Sequence, residues 1–407
     1  MIANPQMSPL LGKLTKYLRR LTGILPEAMT SLDSNRLVLL FFDVESLEIL
    51  RMKPDVDVSE LIDWIYSYHI KSADGTNPNC CGFRGSMDSG LRTGGMSKDA
   101  PYDFSHVTMV YAALCTLITL GDDLSRLDKQ GTVAGIVALQ CPDEPGLFQA
   151  GLFCPERDMR FVFSAVASCY ILDSLSSLDT EAIVGFIGRS LTHDGGFAQL
   201  PGLEAHAGAT YCALASLACL NRLESFLPAS SRARERLVKW LLSLQDKGFH
   251  GRPHKPDDTC YTYWVCASLK LLGCEKFVDQ DRLLQFVSSA WDECVGGIRK
   301  IPDPSYPSDP LHTFLCLSGL ACLKPSESAT SDLSLEDLRA TLHESVAGAI
   351  GDDDKQDSEE RVELFRSLLA NVMHQIHPEL NVTEPTFRRI QELHRKWRGI
   401  DATKRES

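Results

Sequence analysis

Five stretches of the chain share one pattern, an apolar run with small residues at its centre: Cys115-Thr116-Leu117, Ala167-Ser168-Cys169, Ala215-Ser216-Leu217, Ala267-Ser268-Leu269 and Ser318-Gly319-Leu320. Their starts stand 52, 48, 52 and 51 residues apart. A period near 50 residues has room for two helices and their loops, and helix-pair repeats bury their apolar faces by stacking on their neighbours. A glycine turn running into a large apolar residue precedes each core, at Gly82-Phe83, Gly146-Leu147-Phe148, Gly195-Gly196-Phe197, Gly248-Phe249 and Gly296-Gly297-Ile298. Such turns punctuate the repeats. Between them the pattern is helical: Tyr261 to Leu272 is closed by Gly273 as a C-cap, and Arg234 to Leu244 runs up to Gln245. No segment alternates convincingly as a strand. The pattern predicts an all-α array of helix pairs, with residues 26–90 supplying earlier helices, that either runs open or closes into a ring. From Lys324 to Leu369 the pattern gives way to Ser, Glu and Asp, including the run Asp352-Asp353-Asp354. This stretch reads as a solvated insertion, with a helical pattern resuming from Leu364 to Asn371.

Composition narrows the class. With 41 Lys and Arg against 54 Asp and Glu, the net charge of −13 argues against a nucleic-acid binder working through a broad basic face. An anionic ligand must be held by a local basic cluster. No stretch has the roughly 20 apolar residues of a membrane helix, and Met1 to Leu25 lacks the apolar core and cleavage site of a signal peptide. A cytoplasmic protein without a membrane span is expected. The 14 cysteines are scattered, mostly in apolar helical runs such as those of Cys115, Cys169 and Cys219, which fits small buried hydrophobes rather than a disulfide framework.

Candidate chemistry recurs at one register. Nine residues before the repeated cores stand His106, Asp158, His206, Asp258 and Asp309, with Arg160, Cys260 and His312 following within three. Asp or His at a helix start also serves as a cap, and any one position has that explanation as readily. In a stacked or closed array, equivalent helix starts converge on one mouth. Asp258, Cys260 and His312 offer an oxygen, a sulfur and a nitrogen ligand from adjacent repeats. Residues two apart on a helix point apart, but a cap position has non-helical backbone that lets Asp258 turn toward an ion met by Cys260. Three protein ligands leave the fourth position open, the pattern of catalytic zinc, and such a site holds a substrate thiol as thiolate. Immediately upstream, Gly248-Phe249-His250-Gly251-Arg252-Pro253-His254-Lys255-Pro256 concentrates cations. Arg252 offers a fork for phosphate oxygens and Lys255 a point charge, with His206 and Tyr261 as further donors. The run is either a solvated loop or, beside a metal, a diphosphate site.

Two segments carry a family resemblance. Gly251-Arg252-Pro-x-Lys255-Pro-x-Asp258-Thr-Cys260-Tyr261-x-x-Trp264 resembles the signature of protein prenyltransferase β subunits, and Leu311-His312-Thr-x-x-x-x-Ser318-Gly319-Leu320 resembles their second zinc segment. The similarity runs from Leu32 to Leu323 and returns at His377-Pro378-x-Leu380-Asn381-Val382 and Leu393-His394-x-x-Trp397. Within the family, Asp103-x-x-His106, Gly121-Asp122-Asp123-Leu124-Ser125-Arg126 and Asp158-Met159-Arg160-Phe161 are similar to the type I geranylgeranyltransferase branch. The resemblance implies an α/α toroid with a central apolar funnel, formed by residues 1–323 and 371–407, with 324–370 as an acidic, partly disordered insertion. It implies a heterodimer with a separate helical α subunit and transfer of a geranylgeranyl group from geranylgeranyl diphosphate to Cys-a-a-X proteins such as small GTPases. Asp258, Cys260 and His312 are then the zinc ligands, and His206, Arg252, Lys255 and Tyr261 bind the diphosphate. Arg160 would lie near the acceptor's C-terminus, and Val38, Phe42, His106, Thr108, Phe161 and Leu311 would shape the peptide and lipid pockets. Val38, where farnesyltransferases carry Trp, leaves room for the longer chain, and Leu311 replaces their Tyr. Lys300 falls where they bind magnesium through Asp, so its ammonium replaces that ion and magnesium is not required.

Other readings stay open at this stage. Farnesyltransferase and Rab geranylgeranyltransferase β subunits share the family, and a non-catalytic helical-repeat binding module would carry no zinc. A triterpene cyclase would need Asp-x-Asp-Asp, and a thioester toroid Gly-Cys-Gly-Glu-Gln, where this chain has Gly273-Cys274-Glu275-Lys276.

Overall fold

A computed structural model describes residues 9–25, 27–72, 77–85, 104–324 and 353–399. Asp103 and most of the expected insertion lie outside them. The helices are α1 (Pro9–Leu21), α2 (Arg36–Ile49), α3 (Val58–Ser67), α4 (Val107–Thr119), α5 (Lys129–Val137), α6 (Met159–Ile171), α7 (Thr180–Arg189) and α8 (Ala207–Cys219). After the short α9 (Leu223–Phe226) follow α10 (Arg232–Ser243), α11 (Tyr261–Leu271), α12 (Gln280–Ser289), α13 (Pro310–Cys322), α14 (Asp353–Ser367) and α15 (Glu384–Trp397). The strands among the described residues form three antiparallel two-stranded pairs at loops, one of them β1 (Ile376–His377) with β2 (Val382–Thr383).

The five repeated cores lie in α4, α6, α8, α11 and α13. These helices, with α2, pack side by side in that order, and α13 returns to touch α2, so the array closes into a ring. The sequence explains the division of labour. In α8 every residue but Gly208 and Ala218 is buried, the mark of a helix covered on all sides. In α7 only Ile183, Phe186 and Ile187 are buried, and in α10 only Leu237, Trp240 and Leu241, a single stripe at helical spacing. Small residues in the inner helices permit close approach: a Cβ on Gly319 of α13 would lie 2.4 Å from the Thr262 backbone of α11.

The glycine turns clasp one repeat to the next. Phe83, Phe148, Phe197, Phe249 and Ile298 are fully buried. Carbonyls of this series accept the N–H of the following helix start, from His106 to Phe83, His206 to Phe197 and Asp258 to Phe249, each at 3.0 Å. Neighbouring repeats are stitched in turn by Met159 N–H to the Gln199 carbonyl (3.1 Å), Ala207 to Gly251 (2.8 Å) and Thr259 to Lys300 (2.9 Å). The last turn meets the first helix: at Gly296 (φ +78°) a side chain would strike the Lys13 carbonyl of α1 at 2.7 Å, so glycine is required there.

The C-terminal segment closes the end of the ring that carries the helix C-termini. Tyr111 donates to the Leu380 carbonyl (2.6 Å) and Tyr211 to that of Pro378 (3.1 Å), while Arg389 of α15 donates to the terminal carbonyls of α4 at Ile118 (3.3 Å) and Thr119 (2.6 Å). Helix α14 begins at Asp353, well before the apolar pattern from Leu364. Its leading part is charged, with acidic residues at the helix N-terminus, and Arg361 pairs with Glu293 while Leu364 and Phe365 are buried, Phe365 edge-on to Trp291. Among the described residues no helix is long and apolar enough to cross a membrane, and all fourteen cysteines are free thiols.

One buried group lacks compensation. Asp43 of α2 is fully buried, and both its oxygens lack a hydrogen-bond partner among the described residues. Burial pushes the Asp43 carboxyl well above its usual range. A carboxyl with a raised folded pKa is held as the acid, so its cost to the folded state grows as pH rises from the unfolded value, about 3.9, toward the folded one. Asp43→Asn should therefore flatten the fall in melting temperature between pH 5 and 8, and should stabilise the protein more at pH 8 than at pH 5, as read by calorimetry.

Candidate metal and diphosphate site

The helix starts are caps and converge as well. Asp158 accepts from the Arg160 N–H (2.8 Å), Asp258 from Cys260 (2.9 Å) and Asp309 from His312 (2.9 Å), while His106 and His206 accept through Nδ1 from Thr108 (3.2 Å) and Gly208 (3.1 Å). Each cap uses one atom on the backbone and turns another to a side chain: Asp158 Oδ2 holds Arg160 (2.6 Å), Asp309 Oδ2 holds the His312 ring (2.6 Å) and His206 Nε2 meets Tyr261 Oη (3.1 Å). Most accessible side chains of the inner helices lie here as well, Val38, Phe42, Thr108, Tyr261, Trp264, Leu311 and His312 being within two turns of a helix start.

Packing of consecutive repeats brings α13 beside α11, and with it His312 beside Asp258 and Cys260. One ligand atom from each lies within 4.8 Å of the others, and Asp258 and Cys260 are 7% and 9% exposed. His312 Nε2 stands 3.3 Å from Asp258 Oδ1, while its Nδ1 meets Asp309 Oδ2 at 2.6 Å. Asp309 thus fixes the ring, leaving Nε2 to face the cluster, the arrangement of a carboxylate-oriented histidine ligand. Burial tends to raise the Asp258 carboxyl, but His312 and the Cys260 N–H hold it below its usual value. Burial tends to depress His312, yet Asp258 and Asp309 lift it to about 9. Burial, reinforced by Asp258, pushes the Cys260 thiol well up. Asp258, Cys260 and His312 could hold a metal ion, and this donor set of O, S and N fits zinc.

Above this cluster sits the basic group. Lys300 Nζ lies 3.7 Å from Asp258 Oδ2 with half its side chain exposed. Because His206 Nδ1 accepts from backbone, its Nε2 carries the proton and donates to Tyr261 Oη at 3.1 Å. Burial, then Arg252, lowers His206, and burial raises Tyr261, so both are neutral near pH 7 and the phenol proton is free to donate outward. A Cβ on Gly251 would overlap the Tyr261 ring at 2.2 Å, so only glycine lets the cationic loop rest there. Arg252 pairs with Glu204 at 2.7 Å on the rim, and Lys255 is exposed.

The model of the prenyltransferase alpha-alpha toroid domain matches residues 11–382. The chain belongs to the prenyltransferase α/α-toroid family. Among its relatives, the type-1 geranylgeranyl transferase subunit beta of Dictyostelium discoideum is 34% identical over 325 residues, covering 76% of this chain and 89% of the relative. That of Arabidopsis thaliana is 34% identical over 299 residues, covering 70% and 78%. The fold matches the protein geranylgeranyltransferase-I of Candida albicans, solved in complex with GGPP, with a TM-score of 0.72 at 21% identity over 94% of this chain and 98% of that one.

The expected pocket residues of this toroid surround the same mouth. Phe42 stacks on Phe314 (5.4 Å), and aromatic contacts continue from Phe41 through Tyr111, Phe163 and Tyr211 to Trp264, lining five inner helices. Val38 packs against this core, and Leu311 is exposed. Phe161 meets His106 edge-on at 5.9 Å, and Thr108 hydroxyl lies 3.4 Å from that of Ser164. Arg160 is held by Asp158 (2.6 Å) and Glu156 (2.5 Å), which aims it but leaves half its side chain exposed. The sequence marked Asp309 only as a helix start. Its second task was readable from the Asp-x-x-His spacing, which places the carboxylate under a first-turn ring.

If Asp309 orients His312, Asp309→Asn keeps the cap but weakens the imidazole's partner. Zinc affinity, measured by chelator competition on the αβ complex, should fall about 10- to 100-fold with little change in melting temperature.

Proposed function

We propose that the chain is the catalytic β subunit of a type I protein geranylgeranyltransferase. With a separate α subunit it transfers a geranylgeranyl group from geranylgeranyl diphosphate to the cysteine of proteins ending in Cys-a-a-X, X mostly Leu, such as Rho- and Rac-type small GTPases. The observation that carries this reading is the convergence of Asp258, Cys260 and His312 at the accessible mouth of an aromatic-lined toroid, beside Lys300, Tyr261 and His206. Zinc held by the three ligands would keep the acceptor thiol ionised at neutral pH.

The chain's own residues supply the rest. Asp309 orients His312. Tyr261, oriented by His206, donates its phenol proton to a diphosphate oxygen, and Arg252 and Lys255 bring positive charge to the same group. As the thiolate bonds to the first carbon of the isoprenoid, the carbon–oxygen bond breaks and negative charge grows on the departing diphosphate. Contacts that strengthen with that charge lower the barrier rather than only the binding energy. Lys300, reaching over Asp258, occupies the place of a magnesium ion, so transfer needs none. Val38 leaves depth for a twenty-carbon chain, with Phe42, Thr108, Phe161, His106 and Leu311 around the lipid and the acceptor's last residue, and Arg160 near its carboxylate. A cytoplasmic location fits a thiol-rich protein.

The test is lipid competition with the chain co-expressed with a prenyltransferase α subunit. Offered both diphosphates and peptides ending in Leu or Ser, the complex should place geranylgeranyl on the Leu peptide without magnesium. Magnesium-dependent farnesyl transfer would make it a farnesyltransferase, and no transfer with no bound zinc would leave a binding module. In the same assay Arg252→Ala should lower kcat by roughly 100-fold with zinc content unchanged.

A further inference from the structure

The cationic loop leaves the end of α10 and returns at Asp258, and almost all of its fixed geometry is at its base. Gln245 bridges to Phe249, the His250 N–H donates to the Leu244 carbonyl (3.1 Å) and the Asp258 N–H to that of Phe249 (3.0 Å). Inside this base sits Asp257. Its Oδ2 accepts from the N–H groups of Lys247 (3.0 Å) and Gly248 (2.8 Å), and its Oδ1 meets His250 Nδ1 at 3.2 Å. The carboxylate thereby ties the returning strand to the outgoing one at three points. The Asp257 and His250 side chains are only 9% and 16% exposed, so water competes little for these bonds.

Gly251, whose carbonyl accepts from the Ala207 N–H (2.8 Å) and which rests on the Tyr261 ring, still belongs to this anchored part, and the tip beyond it is held far less. Residues 252–256 lie outside any helix or strand, His254 takes a left-handed backbone (φ +64°) between Pro253 and Pro256, and the Arg252–Glu204 pair is at the exposed rim. The direction in which Arg252 and Lys255 project is thus set by the base, and the base is braced by Asp257. We infer that Asp257 is a positioning residue for the diphosphate-binding loop: it touches no substrate, and it acts through His250 and the backbone to aim Arg252 and Lys255 at the oxyanion. This inference rests on the diphosphate reading of the site.

The experiment uses the αβ holoenzyme with Asp257→Ala, Asp257→Asn, Arg252→Ala and the Asp257→Ala/Arg252→Ala double variant, reading kcat, zinc content, and binding of inorganic pyrophosphate by calorimetry. Asp257→Ala should weaken pyrophosphate binding and lower kcat about 10-fold with zinc retained, because a displaced cation loses its contact with developing charge. In the Arg252→Ala background the same substitution should cost less than about 2-fold, since residues acting through one another are not additive. Asp257→Asn, whose carbonyl still accepts the backbone N–H groups, should recover most of the rate. Equal losses in both backgrounds, or unchanged pyrophosphate binding by Asp257→Ala, would overturn the inference. A wild-type holoenzyme that binds no pyrophosphate would overturn the diphosphate reading itself, and the inference with it.

Discussion

Every inner helix of this ring begins with N–H groups that have no partner in the helix, and five of them begin at the same end of the ring. The chain meets that need with short polar side chains, His106, Asp158, His206, Asp258 and Asp309. Each is then pinned by its own backbone, and at Asp158, His206 and Asp309 the second polar atom holds a neighbouring side chain. The same hydrogen bonds that start the helices therefore set out a circle of rigid, pre-aimed groups. Asp309 shows how far this goes: one oxygen accepts from the His312 N–H, and the other grips the His312 ring.

Much of this was legible in the residues. The small cores repeat because a ring needs equivalent inner helices, and their register leads back to the caps. Asp258 and Cys260 are near in sequence and belong to the same helix start. His312 is remote, and its place depends on α13 lying beside α11, which the repeat pattern allowed but did not require. The beginning of α14 at Asp353 escaped the apolar pattern because its first turns carry charged residues and the burying residues, Leu364 and Phe365, come late. The three short strand pairs were equally silent, since strands of two to four residues have little room to alternate. Asp257, lost among the charges of its loop, became visible only when its backbone partners at Lys247 and Gly248 were in place.

Charge is distributed with the same economy. The chain carries a net −13, yet Arg252, Lys255, Lys300 and Arg160 gather at the mouth. Several are already matched by acids, Arg252 by Glu204, Lys300 by Asp258 and Arg160 by Asp158 and Glu156. Paired cations of this kind are held in place before an anion arrives, and their partners keep them from repelling one another. Exposed pairs such as Arg252 with Glu204 cost little to exchange, since a surface ion pair is worth at most about 1 kcal/mol.

The seal at the base of the barrel also constrains how the molecule comes into being. Tyr111 reaches its carbonyl partner 269 residues further along the chain, and Arg389 of α15 caps α4 across 270 to 271 residues. A chain made only as far as α13 has the inner helices but not the segment whose Arg389 and His394 meet the last carbonyls of α4 and α6. Contacts of such long sequence separation are the slow ones to form. Until then the inner walls, apolar on every side, are open to the surroundings, which makes the unfinished toroid a natural client for chaperones.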